Sequence, residues 1–230
     1  MSWLSRRLID PVRNMWLVCQ GWRDRRKLEY LGLLDESFHD SRHKAEQHLH
    51  AAYHEYVQKV SCADMAISWR IACWLFALVE TTHPRKILDL GSGFSSFLLR
   101  YYASTAGHPC EVTSVDDDPH WLERTRNFLL MHGMSDTNLL VWDQFQQQLP
   151  EGEFDLVFHD LGNMTRRRQT LSLIWKCVSP SGILVLDDWH KHHYRKSAIK
   201  VLRQHKLPTY SARADTWDHG RFVGLALKAA

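Results

Sequence analysis

The chain has 230 residues, 44% of them hydrophobic, which is enough for one well-buried domain with an appendage but not for two full domains. A formal net charge of +3, with the charges scattered along the chain, argues against a nucleic-acid-binding protein. Five widely spaced cysteines without a Cys-x-x-Cys pair argue against a disulfide framework and a cysteine zinc site. The composition predicts a reduced, cytoplasmic protein without a signal peptide or a transmembrane segment.

Residues 1–63 are predicted to form a helical extension, because they show no strand alternation. Asp10-Pro11 is predicted to begin a helix. Apolar side chains then recur at helical spacing, at Val12, Met15, Trp16, Cys19 and Trp22. We expect this apolar stripe to pack against the rest of the chain or against a second copy of it. A cap over the substrate and a membrane surface remain open alternatives.

A polar helix with two histidine pairs follows. His39 and His43, and His50 and His54, are each spaced by one helical turn. Histidines at this spacing hold a metal in His-Glu-x-x-His sites, but no glutamate directly follows the first histidine of either pair. A metal site in this helix is therefore not expected.

A glycine turn lies at the centre of the chain. Residues 64–80 are predicted to form a buried helix, which leads into a short apolar strand that ends at Leu90. The turn that follows is Gly91-Ser92-Gly93-Phe94-Ser95-Ser96. Glycines let a ligand lie against the backbone, and the next helix offers unpaired N–H groups, so the turn predicts a nucleotide-type cradle. Ser96 replaces the third glycine of the dinucleotide fingerprint and Asp89 adds a carboxylate, which favours a cationic ligand over a pyrophosphate.

Strands and helices then alternate, which predicts a doubly wound, mostly parallel α/β sheet. Residues 112–115 are predicted to be the second strand, and Asp116 follows them. An acid about 20 residues beyond a glycine turn is where nucleotide folds bind a ribose. Asp117 is a further candidate beside it, and Asp118-Pro119 is predicted to begin the next helix.

The remaining predicted elements place acids at one edge of the sheet. The third to fifth strands are predicted at residues 138–142, 154–158 and 183–186, the last after a turn at 179–182, and a helix at 194–205 and an antiparallel hairpin of 210–214 with 221–227 follow. Acids stand at the ends of five strands, at Asp89, Asp116, Asp143, Asp160, Asp187 and Asp188. Ligands of open α/β sheets bind beyond these carboxyl ends, so we expect the acids to share one site.

The glycine turn resembles motif I of the class I S-adenosylmethionine-dependent methyltransferases, which reads acid-x-Gly-x-Gly-x-Gly, with Ser95 in place of the last glycine. The closing hairpin is also typical of the methyltransferase sheet. The resemblance implies a seven-stranded sheet of the class I methyltransferase fold, with residues 1–63 as an extension or cap and 64–230 as the S-adenosylmethionine-binding domain. It implies contacts to that cofactor from Asp89, Gly91, Ser92, Gly93, Ser95, Asp116, Asp117, Trp142 and Asp143, the last two at the adenine.

The acids after the fourth and fifth strands predict a metal site. Asp160, Asp187 and Asp188 come together if these strands are neighbours, and carboxylates this close repel one another unless a cation intervenes. Oxygen ligands suit Mg²⁺. The arrangement resembles the divalent-cation-dependent O-methyltransferases of the catechol, caffeoyl-coenzyme A and macrolide-sugar types. The alternative for Asp187 and Asp188 is a cap and a first-turn acid of the next helix.

A catalytic base is also expected. The catechol type has a lysine three residues after its first aspartate, where this chain has Asn163. His190 therefore becomes the first candidate for the base, with His159 and His192 behind it, and Asp160 is the second predicted catalytic residue. Arg166, Arg167 and Arg168 are expected to lie on a solvated helix face, the alternative being that they attract an acidic group of the substrate.

These features together predict an S-adenosylmethionine-dependent O-methyltransferase that acts on a small hydroxylated molecule with the help of Mg²⁺. The expected partners are the small substrate and a second copy bound through the N-terminal helices, and no nucleic acid. Two alternatives stay open. One is a metal-independent methyltransferase for another substrate class, by N-methylation or on protein or RNA. The other is a non-catalytic methyltransferase-like partner subunit.

Overall fold

The structure, a computed structural model, describes residues 3–229 and, from residue 14 onward, the burial of their side chains. Within that range the helices before the first strand are α1 (Trp3–Tyr30), α2 (Glu36–His48), α3 (His50–Lys59) and α4 (Trp69–Thr82). The helical character predicted for the first 60 residues is therefore confirmed from residue 3 onward. None of the described helices combines the length and the apolar character needed to cross a membrane.

Two predicted helix starts were wrong. Helix α1 runs through Asp10-Pro11, so this proline lies inside the helix, where it removes one backbone hydrogen bond. Helix α4 begins at Trp69 rather than at residue 64. The segment before it is held by tertiary hydrogen bonds instead. The Tyr53 hydroxyl donates to the Ile67 carbonyl at 3.0 Å, and Arg221 Nη1 donates to the Ala66 carbonyl at 2.9 Å.

The second part of the chain alternates strands and helices. The elements are β1 (Lys86–Leu90), α5 (Phe94–Thr105), β2 (Glu111–Asp116), α6 (Pro119–Met131), β3 (Leu139–Val141), α7 (Trp142–Gln147), β4 (Phe154–His159), α8 (Met164–Cys177), β5 (Val178–Leu186), α9 (His192–Gln204), β6 (Thr209–Ser211), α10 (Arg213–Thr216) and β7 (Gly224–Leu227). They form one seven-stranded sheet in the order β3-β2-β1-β4-β5-β7-β6, in which β7 is antiparallel to both neighbours. This confirms the predicted fold class and the closing hairpin, although α10 takes up part of the segment expected to be strand.

The predicted turn at residues 179–182 lies inside β5 and is an irregularity of that strand. The β4–β5 register pairs Phe154 with Val178 and Leu156 with Ile183, so these four residues stand opposite Asp155 alone. Such a bulge tolerates proline and glycine, because the extra residues have no partners on β4. The sequence signal was thus real, but it marks a bulge rather than the beginning of the strand.

The sheet separates two hydrophobic clusters. Successive residues of one strand enter opposite clusters, as Ile87 and Leu88 of β1 do, because side chains alternate along a strand. Helices α2 to α6 contribute to one cluster, for example with Trp74, and helices α7 to α9 to the other, for example with Leu171. Both faces are therefore covered, and a ligand has access at the ends of the strands.

Helix α1 packs against β6 and α10 through a partly polar face. The buried carboxylate of Asp24 accepts a hydrogen bond of 3.0 Å from the Ser211 backbone N–H, and Arg25 lies 3.2 Å from Asp215. The predicted apolar stripe faces outward instead, with Met15, Trp16, Cys19 and Trp22 exposed and Val12 outside the described side chains. Packing of the stripe against the rest of this chain is therefore not what the structure shows.

Candidate functional site

The carboxyl ends of four parallel strands are level with one another. Leu90 of β1 is in register with Val115 of β2 and with His159 of β4, and His159 is in register with Leu186 of β5. The residues that follow these positions therefore meet at one edge of the sheet. They are Gly91, Asp116, Asp160 and Asp187.

Two glycines of the turn are required by close contacts. Gly91 has φ +97°, and a Cβ there would lie 2.5 Å from the Asp160 carbonyl oxygen. At Gly93 an added Cβ would lie 2.8 Å from the Tyr56 hydroxyl. Neither position can accept a side chain without moving its neighbour, so the turn is open to a ligand only with glycine.

Asp116 holds the turn in place from the end of β2. Its Oδ2 accepts hydrogen bonds from the backbone N–H and the hydroxyl of Ser92, at 2.7 and 2.9 Å, and its Oδ1 accepts from the Asp118 N–H at 3.0 Å. Burial raises the pKa of Asp116, and these hydrogen bonds oppose that rise. A carboxylate has about four lone-pair positions, so three accepted bonds leave one for a ligand. Asp118 also caps α6, as predicted.

Asp89 lies beneath the turn and is completely buried. Its Oδ2 accepts hydrogen bonds from the hydroxyls of Ser96, at 2.5 Å, and Ser114, at 3.0 Å. The Ser96 hydroxyl oxygen in turn accepts from the Gly93 N–H at 3.2 Å. Ser96, which stands where the dinucleotide fingerprint has glycine, therefore ties the strand acid to the turn. Asp89 supports the turn from below and does not line the cavity described next.

A cavity of about 240 Å³ lies against the turn. It is lined by most of the predicted cofactor residues, namely Gly91, Ser92, Gly93, Ser95, Asp116 and Asp117. The sequence did not identify Tyr56 of α3, the segment 65–67, or Trp121, whose indole N–H donates to the Ser92 carbonyl at 2.6 Å. Tyr56 carried no local signal, because it belongs to a helix distant in sequence. Trp121 could have been found from the sequence, because it lies only a few residues after Asp116.

The two residues predicted to contact an adenine are placed elsewhere. Trp142 is buried in the second hydrophobic cluster, with its ring 6.1 Å from that of Phe145. Asp143 is exposed in the first turn of α7. Neither lines the cavity at the glycine turn. The structure therefore does not bring them together with the other predicted cofactor residues.

A second cavity, of about 480 Å³, adjoins the first. The two share Met65, Asp160, Gly162 and Arg167 in their linings. The second cavity is lined further by charged and titratable side chains, namely Asp64, Asp187, Asp188, His190, Lys191 and Arg221. The predicted catalytic residues thus lie directly beside the predicted cofactor cradle.

The predicted acidic trio comes together at this second cavity. One carboxylate oxygen from each of Asp160, Asp187 and Asp188 lies within 4.8 Å of the other two. Burial first, and the neighbouring Asp187 carboxylate second, raise the pKa of Asp160 well above its ordinary value. Neither Asp187 nor Asp188 caps the next helix, since the residue at the N-cap of α9 is Lys191.

The trio already has cationic partners. Arg167 donates from Nη1 to Asp188 Oδ2 at 2.5 Å, and its Nη2 forms an ion pair with Asp160 Oδ1. Lys191 Nζ donates to the same Asp188 oxygen at 2.7 Å. Arg221 Nη2 lies 3.5 Å from Oδ2 of the third carboxylate, that of Asp187.

A resident Mg²⁺ does not fit this arrangement. The ligand atoms are the oxygens that Mg²⁺ prefers, but Arg167 already contacts one carboxylate oxygen of Asp160 and one of Asp188. An ion at that place would meet the like charge of the guanidinium at contact distance, and the electrostatic cost of such a pair is high in a buried site. The three aspartates thus lie together as predicted, but the side chain of Arg167 contacts them where an ion was expected.

The three consecutive arginines of α8 do not share a solvated face. Arg166 Nε donates to Asp117 Oδ2 at 3.2 Å, beside the first cavity. Arg167 is buried against the trio, and Arg168 is exposed. The expectation of a solvated face holds for Arg168 alone, because the first turns of α8 start at the ligand edge of the sheet.

His190, the first candidate for the base, lies at the second cavity. Its Nδ1 is buried with no hydrogen-bond partner among the described residues, and its Nε2 lies 3.6 Å from Asp188 Oδ1. Burial lowers the pKa of His190, more than the nearby carboxylates raise it. His159, by contrast, is a core residue bonded to Tyr194 and Thr170, and burial lowers its pKa to about 3.

Comparison with known proteins also shows similarity to methyltransferases. Residues 88–189 match a family profile described as a methyltransferase domain. The O-methyltransferase hkm8 of Aspergillus hancockii is 28% identical over 127 residues, which cover 54% of this chain and 50% of that protein. This chain thus spans about half the length of the curated relative.

Similar folds are found among solved structures. The Podospora anserina methyltransferase PaMTH1, bound to S-adenosylhomocysteine, superimposes with a TM-score of 0.59 at 16% identity, covering 79% of this chain and 87% of that one. The O-methyltransferase TomG of Streptomyces achromogenes, involved in tomaymycin synthesis and solved with S-adenosylmethionine, gives 0.58 at 16% identity, covering 90% and 96%. At these identities the likeness establishes the class I methyltransferase fold.

Proposed function

We propose that this chain, which contains a methyltransferase domain of the class I fold, is an S-adenosylmethionine-dependent O-methyltransferase acting on a small hydroxylated molecule. The observation that carries the proposal is the pair of adjoining cavities at the carboxyl edge of the sheet. One lies against the glycine turn and Asp116, and the other holds His190 and the acidic trio. A methyl donor in the first cavity and an acceptor in the second would meet where they join.

The residues of the first cavity suit S-adenosylmethionine. Gly91 and Gly93 leave backbone surface uncovered where any Cβ would collide, and Asp116 keeps one acceptor position for a ligand hydroxyl. Tyr56, Trp121 and the segment 65–67 add apolar surface around it. When bound, the cofactor supplies a methyl group on a sulfonium, and the protein has mainly to align the acceptor oxygen with that carbon.

His190 is proposed to take up the proton. Transfer of a methyl group to a hydroxyl oxygen forms a carbon–oxygen bond and releases the hydroxyl proton, which needs an acceptor. The Nδ1 atom of His190 is unpaired, and the side chain lines the second cavity. An imidazole that is neutral near pH 7 can accept the proton, and Asp188 can then stabilise the imidazolium from 3.6 Å.

The Mg²⁺ predicted from the sequence is not made part of this proposal, because Arg167 already contacts a carboxylate oxygen of Asp160 and one of Asp188. We retain three further expectations as proposals. They are the boundary between an N-terminal extension of residues 1–63 and a domain of residues 64–230, a homodimer formed through α1, and a cytoplasmic location, which depends on the cysteine pattern. The extension contributes Tyr56 to the cofactor cavity, so it would be a functional part of the enzyme.

The test begins with the purified full chain. Mass spectrometry of the denatured protein should find retained S-adenosylhomocysteine, and calorimetry should show one binding site for it and none for NAD. Incubation with S-adenosylmethionine and a panel of small phenols, sugars and amines should yield methylated phenols or sugars. NAD bound more tightly than S-adenosylhomocysteine would overturn the proposal, and methylation of amines alone would overturn the choice of oxygen as acceptor.

A further inference from the structure

We propose that the guanidinium of Arg167 takes the place of a divalent cation in the acidic trio, so that this methyltransferase site works without a metal. The consequence for catalysis rests on the proposed function. The position of Arg167 within the trio does not depend on the proposed function. It can be tested on this protein without an activity assay.

The geometry of Arg167 is that of a bridging ligand. Its two terminal nitrogens contact carboxylates from two different strands, Asp160 after β4 and Asp188 after β5. Its Nε donates to the Gly162 carbonyl at 3.2 Å, which fixes the plane of the group. A guanidinium presents its donors in a rigid fork, so it can hold two carboxylates at a set distance as a metal ion would.

The charges at the site balance without an ion. With all three carboxylates ionised, the acidic trio contributes three negative charges, and Arg167, Lys191 and Arg221 contribute three positive charges at contact distances of up to 3.5 Å. The repulsion that led to the expectation of a metal is therefore reduced by side chains of the same chain, although Asp187 still raises the pKa of Asp160. A divalent cation added to this set would bring an excess of two positive charges into a mostly buried cluster.

Arg167 cannot easily leave. It is 8% exposed, and its helix begins just before it at the N-cap Asn163, whose side chain accepts from two backbone N–H groups of the first turn. The three nearby carboxylates raise its pKa although burial opposes this, so the charge is permanent. Moving the side chain aside would leave a buried charge unpaired, which is strongly unfavourable.

The position of the charge indicates its use. Arg167 lines both cavities, so its guanidinium stands where the cofactor cavity meets the acceptor cavity. By bridging Asp160 and Asp188 there, Arg167 would hold both carboxylates in a fixed position beside the acceptor without a metal. An arginine does not donate its proton near neutral pH, so proton uptake remains with His190.

The experiment compares cation binding by wild type and by Arg167→Met, which keeps the length of the side chain and removes the charge. Binding of Tb³⁺ can be followed by sensitised luminescence, since Trp189 lies buried next to Asp188. Mn²⁺ binding can be followed by electron paramagnetic resonance. Wild type should show no saturable site up to about 1 mM of either ion. Arg167→Met should gain one site, with affinity increased at least about tenfold.

Arg168→Met is the matched control, since it removes the same charge from the exposed neighbouring position of the same helix. It should behave as wild type. Arg167→Lys should bind no ion either, because it keeps the charge. A wild-type site that binds one Mn²⁺ at or below about 1 mM and is lost in Asp160→Asn would overturn the inference, whether or not Arg167→Met folds. So would a folded Arg167→Met that binds no better than wild type. Retention of S-adenosylhomocysteine is measured in parallel, and its loss would count against the proposed function instead.

Discussion

Asp116 and Asp143 illustrate how similar residues receive different roles from the fold. Both follow a strand in the sequence, and both were predicted to contact the cofactor. Asp116 is 6% exposed and lines the cofactor cavity, whereas Asp143 is exposed in the first turn of α7. The same substitution at the two sites therefore separates a contact residue from a surface acid.

We expect Asp116→Ala to weaken the binding of S-adenosylhomocysteine by about 10- to 100-fold, that is by about 1 to 3 kcal/mol, because hydrogen bonds to a charged group are lost. Asp143→Ala should leave the affinity unchanged. Isothermal titration calorimetry measures both. An equal loss in the two variants would contradict the placement of Asp143 outside the site.

His190 can be tested in the same paired manner. His190→Ala should lower turnover at neutral pH by about 10²- to 10⁴-fold, the usual effect of removing a general base, and should leave the affinity for S-adenosylhomocysteine unaltered. His193→Ala is the control, since His193 is exposed on α9. Turnover is measured by the formation of S-adenosylhomocysteine. If both variants keep the rate of wild type, His190 is not the base.

Asp89 makes a prediction about pH and stability. Burial raises its pKa from 3.8 to about 6. The folded state thus binds this proton more tightly than the unfolded state, so the contribution of Asp89 to the free energy of unfolding is complete below about pH 3.8 and is lost as the pH rises through about 6. Asn cannot titrate, and its amide oxygen can still accept from Ser96 and Ser114.

The free energy of unfolding of Asp89→Asn, relative to that of wild type, should therefore increase by about 3 kcal/mol as the pH rises from about 4 to about 7. Urea unfolding at a series of pH values measures the difference. Curves for the two proteins that run parallel over this range would show that the pKa of Asp89 is not raised. The sign is opposite to that of a surface aspartate held by a salt bridge, whose stabilising contribution increases with pH.

At the scale of the element, helix α1 is attached by a polar contact that its sequence does not announce. Asp24 is buried and accepts from the Ser211 N–H of β6. Asp24→Ala would leave that N–H without a partner, and we expect a loss of about 1 to 3 kcal/mol in the free energy of unfolding. Glu29→Ala, at an exposed position of the same helix, should change it by less than about 0.5 kcal/mol. Equal effects in urea unfolding would mean that α1 does not depend on this contact.

Among the secondary-structure elements, the strands of the sheet were predicted best. Its strands are short apolar runs bounded by turns, and each run is readable from neighbouring residues. The bulge in β5 and the late start of α4 were missed, because each depends on contacts with another element. The positions of the strands were therefore predictable, whereas their boundaries and the short helices α7 and α10 were not.

For the whole molecule, the outward face of α1 is the feature that the single chain leaves unexplained. Met15, Trp16 and Trp22 are 63%, 56% and 54% exposed on one helix. If this face forms the proposed homodimer, light scattering should find a dimer for wild type and a monomer for Trp16→Ser, because burying the indole supplies much of the association energy. Trp217→Ser, at an exposed tryptophan outside α1, should remain dimeric. A monomeric wild type at micromolar concentration would contradict the proposal.

The sequence by itself determined the alternation of strands and helices, the glycine turn and the acids at the ends of the strands. These depend on local periodicity and on the rule that parallel strands end at one edge, so no tertiary information is needed to place Asp116, Asp160 and Asp187 together. The seven-stranded sheet and the presence of a cradle for a cationic nucleotide-like cofactor follow from the same signals, with the help of the family resemblance.

Only the tertiary structure decided which side chains neutralise those acids. Arg167 reaches Asp188 across 21 positions, and Asp24 reaches Ser211 across 187. Partners so far apart in the sequence produce no local sequence pattern, because their contact depends on how two separate elements pack together. For the same reason Asp89 was assigned to the cofactor and Arg167 to solvent, whereas burial places the first beneath the turn and the second among the carboxylates.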